Sequence, residues 1–431
     1  MIDLYRKARK LVSPFYRYLE MRFKIVWYNL HRNGIIRSVR NKRTVRVAFF
    51  AVNLSMWKCD SLFRMMLADS RFDPVMVPMP RPMFNQDAEK QELLRLIEFC
   101  RRNSYPFIEG FDYKTGKFNG YDEIKPDVVF FSQPYNAAFP AHKIERYWKN
   151  CLFYYVPYCI LVEKITSFID TLYMNICQSV FVENRILRDV ESKIMTDKGN
   201  NLVVAGYMGA EQLQGVSDSD YLVWKQSDPN IRRVIWAPHH SIRENDVLNY
   251  SAFLEVADQM LELARSYEGK VQFAFKPHPG LKPKLYDLEG WGRERTDRYY
   301  SEWDNMPNAV LAEGSYDSLF RSSDAMIHDC SSFTAEYLFT GKPVMFISKD
   351  DHLDFMNELG AMCFNVHYKG RTVKHVRDFI DRVVIDGQDA MKEERQRFVS
   401  GNLLSLDSRT AAETIFDTIT DLLFRKPDKR Q

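Results

Sequence analysis

Short apolar runs alternating with helix-length segments constrain this chain most, because the alternation begins twice. The run Val45–Val52, "VRVAFFAV", stops at the polar break Asn53-Leu54-Ser55 and predicts a strand, with a helix after it over 56–68. "FDPVMVPM" predicts a second strand, and residues 88–103 have helical period. "PDVVFFSQPY" (126–135), "CLFYYVPYCILV" (151–162), "SVFVEN" (179–184) and "NLVVAGY" (201–207) predict further strands. The series then starts again with "RRVIWAPHH" (232–240), a helix in 250–269 ending at Gly269, "VQFAFKPHP" (271–279) and "NAVLAEG" (308–314). "DAMIHD" (324–329), a helix over 332–340 and "KPVMFIS" (342–348) continue it, and the tail over 371–425 reads as helical. Strands separated by helices in this way form parallel sheets wound with helices, an α/β class. A chain of 431 residues is too long for one core, and two domains of roughly 150 to 200 residues are expected. The boundaries fall at 45–210 and 211–425, with the seam near 208–231.

Charge singles out the remaining segment, 1–44. Residues 1–46 hold 13 Lys/Arg against Asp3 and Glu20, a local charge of +11 in a chain of net charge +3, which leaves −8 elsewhere. Leu4, Leu11, Phe15, Tyr16, Leu19, Phe23, Val26, Trp27 and Leu30 are interleaved with those cations. Basic residues mixed with aromatics and leucines suit a helix lying on an anionic membrane surface; the alternative is a helix packing its apolar face on the body. The acidic remainder argues against nucleic acid as a partner. No apolar run approaches the roughly 18 residues of a membrane span, and the first residues lack the apolar core of a signal peptide. The seven cysteines, at 59, 100, 151, 159, 177, 330 and 363, form no C-x-x-C pair and are odd in number, which favours a reducing, cytoplasmic compartment over a disulfide or zinc scaffold.

In an open parallel sheet, ligands bind beyond the carboxyl ends of the strands. Four of the nine histidines fall at three such tips in the second half. At Pro238-His239-His240-Ser241, His239 and His240 are candidate ligand contacts, and Ser241 with Glu244 could instead form a capping box. At Lys276-Pro277-His278-Pro279, the prolines fix the backbone around His278. An ammonium and an imidazole together suit a diphosphate or a departing phosphate. At His328-Asp329-Cys330-Ser331-Ser332, either serine would cap the helix starting near Phe333, and the positive helix end would attract phosphate. Glu336, one turn in, could accept bonds from ribose hydroxyls, while Asp329 is expected to order the turn. Residue spacing suggests no metal site.

"KPHP" followed some 50 residues later by "DCSSFTAEYLFTGKPVMF" resembles the CDP-glycerol glycerophosphotransferase family of teichoic-acid and capsule synthesis. "VIWAPHH" and "VVAGYMGAEQL" are similar to further elements of that family. The resemblance implies a GT-B-like fold, two Rossmann-like domains facing a cleft, here with a basic helical N-terminal extension. It implies an acceptor domain at 45–210 and a nucleotide-donor domain at 211–425. It also implies that His278 contacts the donor pyrophosphate, that Ser331 and Ser332 bind donor phosphate, and that Glu336 reaches the ribose. The chain departs from the family pattern at Cys330, where Tyr is usual, and at Met208, where Pro is usual. It lacks the family's Trp-His-Gly element, whose His is a proposed base; at the comparable strand end, "YYVPYCILVEK" (154–164), Tyr158 and Glu163 are the candidates.

The expected activity is transfer of a glycerol-phosphate or related alditol-phosphate unit from a CDP-activated donor to a membrane-linked glycan or lipid acceptor. No cofactor beyond the donor substrate and no essential metal are expected. The expected location is the inner face of the cell membrane, and an oligomer is left open. The alternatives are a GT-B glycosyltransferase using a nucleotide sugar, and a non-catalytic membrane-bound assembly component.

Overall fold

The computed structural model describes residues 2–80, 86–112, 114–134, 144–243, 251–349, 352–404 and 409–425. The chain divides into two compact units. The first comprises Met1–Tyr158, Ile165–Met208 and Asp407–Gln431; the second comprises Gly209–Leu406 and a hexapeptide, Cys159–Lys164.

In the first unit, β1 (Val45–Ala51) and β2 (Phe72–Pro78) precede a small hairpin of β3 (Phe111–Asp112) and β4 (Lys117–Phe118). β5 (Val128–Phe131), β6 (Leu152–Tyr155), β7 (Ser179–Val182) and β8 (Leu202–Val204) follow. The main sheet is parallel, in the order β2-β1-β5-β6-β7-β8. β5, β6 and β7 are buried at every position, which is why these runs are continuously apolar rather than alternating. Phe49 of β1 stacks on Phe130 of β5 at 4.5 Å.

The strand expected over 151–162 stops at Tyr155. Pro157 has no N–H to give the ladder, and the chain then leaves the sheet to join the second unit. There Glu163 forms an antiparallel bridge with Met356, and Lys164 N–H donates to the Phe355 carbonyl at 2.9 Å. Asn357 returns two bonds, from its backbone to Val162 O and from its side chain to Leu161 O. A Cβ on Gly360 would lie 2.2 Å from Val162 O, so only glycine lets the hexapeptide lie this close.

The second sheet is also parallel. It comprises β9 (Arg232–Ala237), β10 (Val271–Phe275), β11 (Ala309–Leu311), β12 (Ala325–His328), β13 (Val344–Ile347) and β14 (Tyr368–Gly370). Their order is β11-β10-β9-β12-β13-β14. The helix Phe253–Ser266 buries Phe253, Val256, Ala257, Met260, Leu261 and Ala264, a spacing of three and four that gives one apolar face. Phe275 stacks on Trp303 beneath the sheet at 5.1 Å. β14 is absent from the sequence reading because three residues, one of them Lys369, carry no periodic signal.

Residues Ile2–Arg40 form one helix. It is no free basic extension, because Ile25, Tyr28, Ile35 and Val39 are buried against the first unit and the Tyr28 hydroxyl donates to Cys151 O. Arg40 Nε reaches Leu422 O of the C-terminal helix Ala411–Phe424 at 2.7 Å. A second apolar row, Tyr16, Leu19, Phe23, Val26 and Leu30, is exposed, with Phe23 at 70% and Leu30 at 76%. At the helical pitch the two rows lie about half a turn apart. Among the described residues, no helix is long and apolar enough to cross a membrane.

Candidate functional site

The strand order of the second sheet reverses between β9 and β12, since β10 lies to one side and β13 to the other. The loops that leave these two strands diverge, and the gap at their carboxyl ends is where a ligand fits in such folds. The three polar tips noted in the sequence follow β9, β10 and β12.

Asp329 fastens the gap. Fully buried, it accepts the His239 N–H at 2.5 Å on one oxygen. On the other it accepts the Ser251 hydroxyl and the Ala252 N–H, each at 2.8 Å. Its carboxylate therefore ties the end of β12 to the end of β9 and to the start of the helix Phe253–Ser266. Burial outweighs these bonds and pushes the carboxyl up to about 7. The proposed box between Ser241 and Glu244 lies outside the described residues; Ser241 Oγ instead sits 2.9 Å from His239 Nδ1.

His278 is drawn against the β9 tip by its N–H, which donates to Pro238 O at 2.9 Å. The rings of His239, His240 and His278 then form a cluster with centroids 4.2 to 4.9 Å apart. A Cβ on Gly280 would come within 3.2 Å of the His240 ring and 3.3 Å of His278 Nδ1, which explains glycine at this turn. The ligand atoms of the three imidazoles lie within 4.8 Å of one another, close enough to be considered as a metal triad. The Gly280 N–H, however, donates to His278 Nδ1 at 3.0 Å. In the neutral ring that bond leaves the proton on Nε2. His278 therefore offers a donor, which suits an anion better than a cation. His239 is held neutral well below its usual range, first by burial and then by the two neighbouring imidazoles.

Lys276, also buried, donates to Gly314 O at 2.9 Å, and burial lowers its ammonium to about 8. His328 belongs to the core: its Nδ1 is engaged by Cys330 and its ring packs on Phe346 and His367. Cys330 is buried with its thiol donating to Ala237 O at 3.2 Å. It thus makes a second tie between β12 and β9, and its small side chain fits where a ring would have to be accommodated.

The serine cap expected at Phe333 does not form. Ser332 has helical backbone angles and makes no side-chain cap, and the helix is only Phe333–Glu336 before a 3-10 turn. So short a helix carries little dipole, so any pull on phosphate comes from local amides and from the half-buried Ser331 and Ser332 hydroxyls. Gly341, at φ 70°, ends the 3-10 turn, a conformation that glycine adopts without strain. Glu336 is 0% exposed; one oxygen accepts the Tyr316 hydroxyl at 2.5 Å, and Oε1 is buried with no hydrogen-bond partner. A ligand hydroxyl would satisfy that oxygen.

Of the two candidates from the strand end at 154–164, Glu163 is buried within the second unit. There burial first, and then the charges of Asp329, Glu163 and Glu336, raise the Cys330 thiol well above its usual range. Tyr158 belongs to the first unit. The sequence reading missed the roles of Ser251 and Tyr316. Neither lies at a strand tip, and each enters through a bond to a residue 78 or 20 positions away.

Residues 226–421 match the model of a family described as "CDP-Glycerol:Poly(glycerophosphate) glycerophosphotransferase". No curated protein matches the sequence. A histidine variant of the wall teichoic acid polymerase TagF, soaked with CDPG, is 12% identical with a TM-score of 0.56, covering 95% of this chain and 98% of that one. The UDP-GlcNAc 2-epimerase of Neisseria meningitidis bound to UDP-GlcNAc is 13% identical, TM-score 0.55, over 88% and 100%. The S. aureus MnaA–UDP structure is 12% identical, TM-score 0.55, over 89% and 99%. These likenesses show a GT-B-like fold of two Rossmann-like domains, whose second half is related to the glycerophosphotransferase family.

Proposed function

We propose that this chain is a transferase that moves a glycerol-phosphate or related alditol-phosphate unit from a CDP-activated donor to a membrane-associated glycan or lipid acceptor in cell-surface polymer synthesis. One observation carries the reading. At the strand reversal of the second sheet, groups suited to phosphate follow neighbouring strands, Lys276 and His278 after β10 and Ser331 and Ser332 after β12, and Glu336 Oε1 in the next turn is buried with no hydrogen-bond partner. The family match over residues 226–421 supports the choice of donor.

In this reading the pyrophosphate lies against His278, Lys276 and the two serines, and a ribose hydroxyl donates to Glu336. His239 and His240 wall the same pocket. The acceptor oxygen bonds to the phosphorus next to the alditol, the anhydride P–O bond breaks, and CMP departs with the electron pair. Glu163 takes the acceptor proton; we assign it this role over Tyr158 because it lies in the donor-binding unit. Placement and charge neutralisation supply most of the acceleration.

The test is a donor panel of CDP-glycerol, CDP-ribitol, UDP-sugars and GDP-sugars, reading the released nucleotide. CMP release from a CDP-alditol is expected, whereas release of only a nucleoside diphosphate would establish a glycosyltransferase instead.

The exposed row on the N-terminal helix supports attachment to an anionic membrane surface on its inner, cytoplasmic face. Tyr16, Leu19, Phe23, Val26 and Leu30 supply the apolar contact, and exposed Arg22 and Arg37 the charge. The double change Phe23→Asp, Leu30→Asp should weaken sedimentation with phosphatidylglycerol vesicles by about tenfold or more. It should leave thermal stability unchanged, since the docked row is untouched. Binding as strong as before would remove the membrane assignment.

A further inference from the structure

The long N-terminal helix crosses the first sheet at the amino ends of its strands. Lys42, two residues beyond the helix, pairs with Asp127 directly before β5. The Tyr28 hydroxyl donates to Cys151 O directly before β6, and its ring meets that of Phe153, the second residue of that strand. The helix also packs on Leu172–Ile176, which leads into β7. Arg22 Nη1 donates to Thr196 O at 3.3 Å, shortly before β8. From Arg22 to Arg40 the helix spans about 27 Å, enough to cover the four strand spacings, about 19 Å, from β1 to β8. Its buried row therefore meets the amino edge of the sheet, and the exposed row of Phe23, Val26 and Leu30, half a turn away, faces out from that edge. Other segments extend this face on both flanks. Trp27 leans on Trp148 at 4.6 Å, and exposed Lys149 follows. On the other flank, the turn that holds Arg22 carries exposed Lys198. Glu20 and Glu145, beside this face, are both held by Lys24.

We infer that the amino edge of the first sheet is its membrane end, and that the acceptor is therefore a lipid-linked oligomer rather than a lipid reacting at headgroup level. Exposed apolar side chains flanked by a tryptophan pair and by lysines fit an anionic bilayer, whose interface favours both residue types. The helix is about 10 Å thick, and β1, with seven residues, is about 23 Å long. With the exposed row in the lipid, the carboxyl edge of the sheet stands on the order of 30 Å above it. That edge is where a parallel sheet receives ligands, so a hydroxyl fixed at the lipid surface falls short of it. A polar chain longer than the gap reaches it. A separate chain-starting transfer must then supply the first units of the acceptor. This orientation rests on the transferase and membrane readings and adds their geometry.

Photo-cross-linking of the full chain on phosphatidylglycerol vesicles reads the orientation directly. A benzophenone side chain placed at Leu30, Lys149 or Lys198 should form lipid adducts. One placed at Arg185, exposed at the start of the helix that follows β7, should form none. Adducts at Arg185 as abundant as those at Leu30, or none at Lys149 and Lys198, overturn the orientation. No adduct even at Leu30 removes the membrane reading, and this inference with it. CMP release from CDP-glycerol reads the acceptor class, with a vesicle-bound acceptor carrying either a single glycerol phosphate or an oligomer longer than the gap. The long acceptor should be used with a kcat/KM at least about tenfold higher, since a tether too short to span two sites gives almost no effective concentration. Cut free of its lipid, the short acceptor should be used as readily as the long one. Equal use of both on vesicles, or rejection of the short acceptor in free solution as well, overturns the acceptor class. CMP release with none of them removes the transferase reading and the acceptor class together, while the adduct pattern still decides the orientation.

Discussion

Replacing His278 by Ala is expected to lower kcat with CDP-glycerol by about 100- to 1,000-fold, the usual cost of deleting one preorganised donor to a reacting phosphoryl or acyl oxygen. The thermal transition should stay close to that of the wild type, because the ring is half-buried and the backbone bond from His278 N–H to Pro238 O is kept. The hydrogen bond from Gly280 N–H to Nδ1 makes the prediction sharper. If the working atom is Nε2–H, a glutamine amide nitrogen reaches about the same place, whereas that of asparagine falls near Nδ1. His278→Gln should then recover part of the lost rate and His278→Asn little. The reverse order would show that Nδ1 is the working nitrogen, and equal, full activity in all three variants would remove His278 from the reaction. KM for the donor should rise less than kcat falls if the bond strengthens as charge develops.

Asp329→Ala should produce the largest loss of stability among the site residues. It strands the His239 N–H, the Ser251 hydroxyl and the Ala252 N–H in a buried place with no acceptor. Each orphaned group costs about 1–3 kcal/mol, and a total near 3 kcal/mol or more would lower Tm by roughly 6–12 °C for a unit of this size. Donor binding should weaken at temperatures where the variant is still folded, because the β9 tip is no longer held. A wild-type Tm in Asp329→Ala would show that the carboxylate ties nothing together. The wild type should also carry a pH signature. Folding raises this carboxyl from its ordinary 3.8 to about 7, so its bound proton stabilises the fold fully below about pH 4. That contribution fades as pH climbs through 7, and the fading should be missing from the alanine variant.

Much of the frame was legible in the sequence because parallel sheets are built from continuous apolar runs, and these stand out from amphipathic helices. Parallel order also places every strand's carboxyl end on one edge, so His239, Lys276, His278 and Ser331 could be grouped without coordinates. Which tip histidine faces a ligand was not legible: His328 and His239 follow the same kind of run, yet His328 is packed between rings in the core. The Ser332 cap was misjudged because a cap depends on backbone angles, and Ser332 adopts helical ones. Cys330 made sense only once Ala237 O was found beside it. The passage of 159–164 into the second unit was hidden for a different reason. Its partners, Asn357 and Gly360, lie about 200 positions away, and backbone pairing of that kind leaves no local pattern. The two faces of the N-terminal helix were mixed in sequence for the same geometric reason, because apolar residues on opposite sides read as one undivided set.

The exchange of segments between units bears on how the protein is assembled as it is synthesised. The first unit holds residues from both ends of the sequence: Phe72 packs on Phe416 and Phe424, and Arg40 waits for Leu422. Its sheet is therefore translated early but closed late, after the whole second unit has emerged. The second unit, in turn, takes a strip of backbone, Cys159–Lys164, that left the ribosome long before β9. Neither half can be cut out as a contiguous fragment without leaving a seam of unpaired backbone, so expression of 209–406 alone would present the Gly360 face and the Asn357 amide bare to solvent. A chain truncated at residue 406 would hold every residue of the second unit, while the first would still lack its last helix.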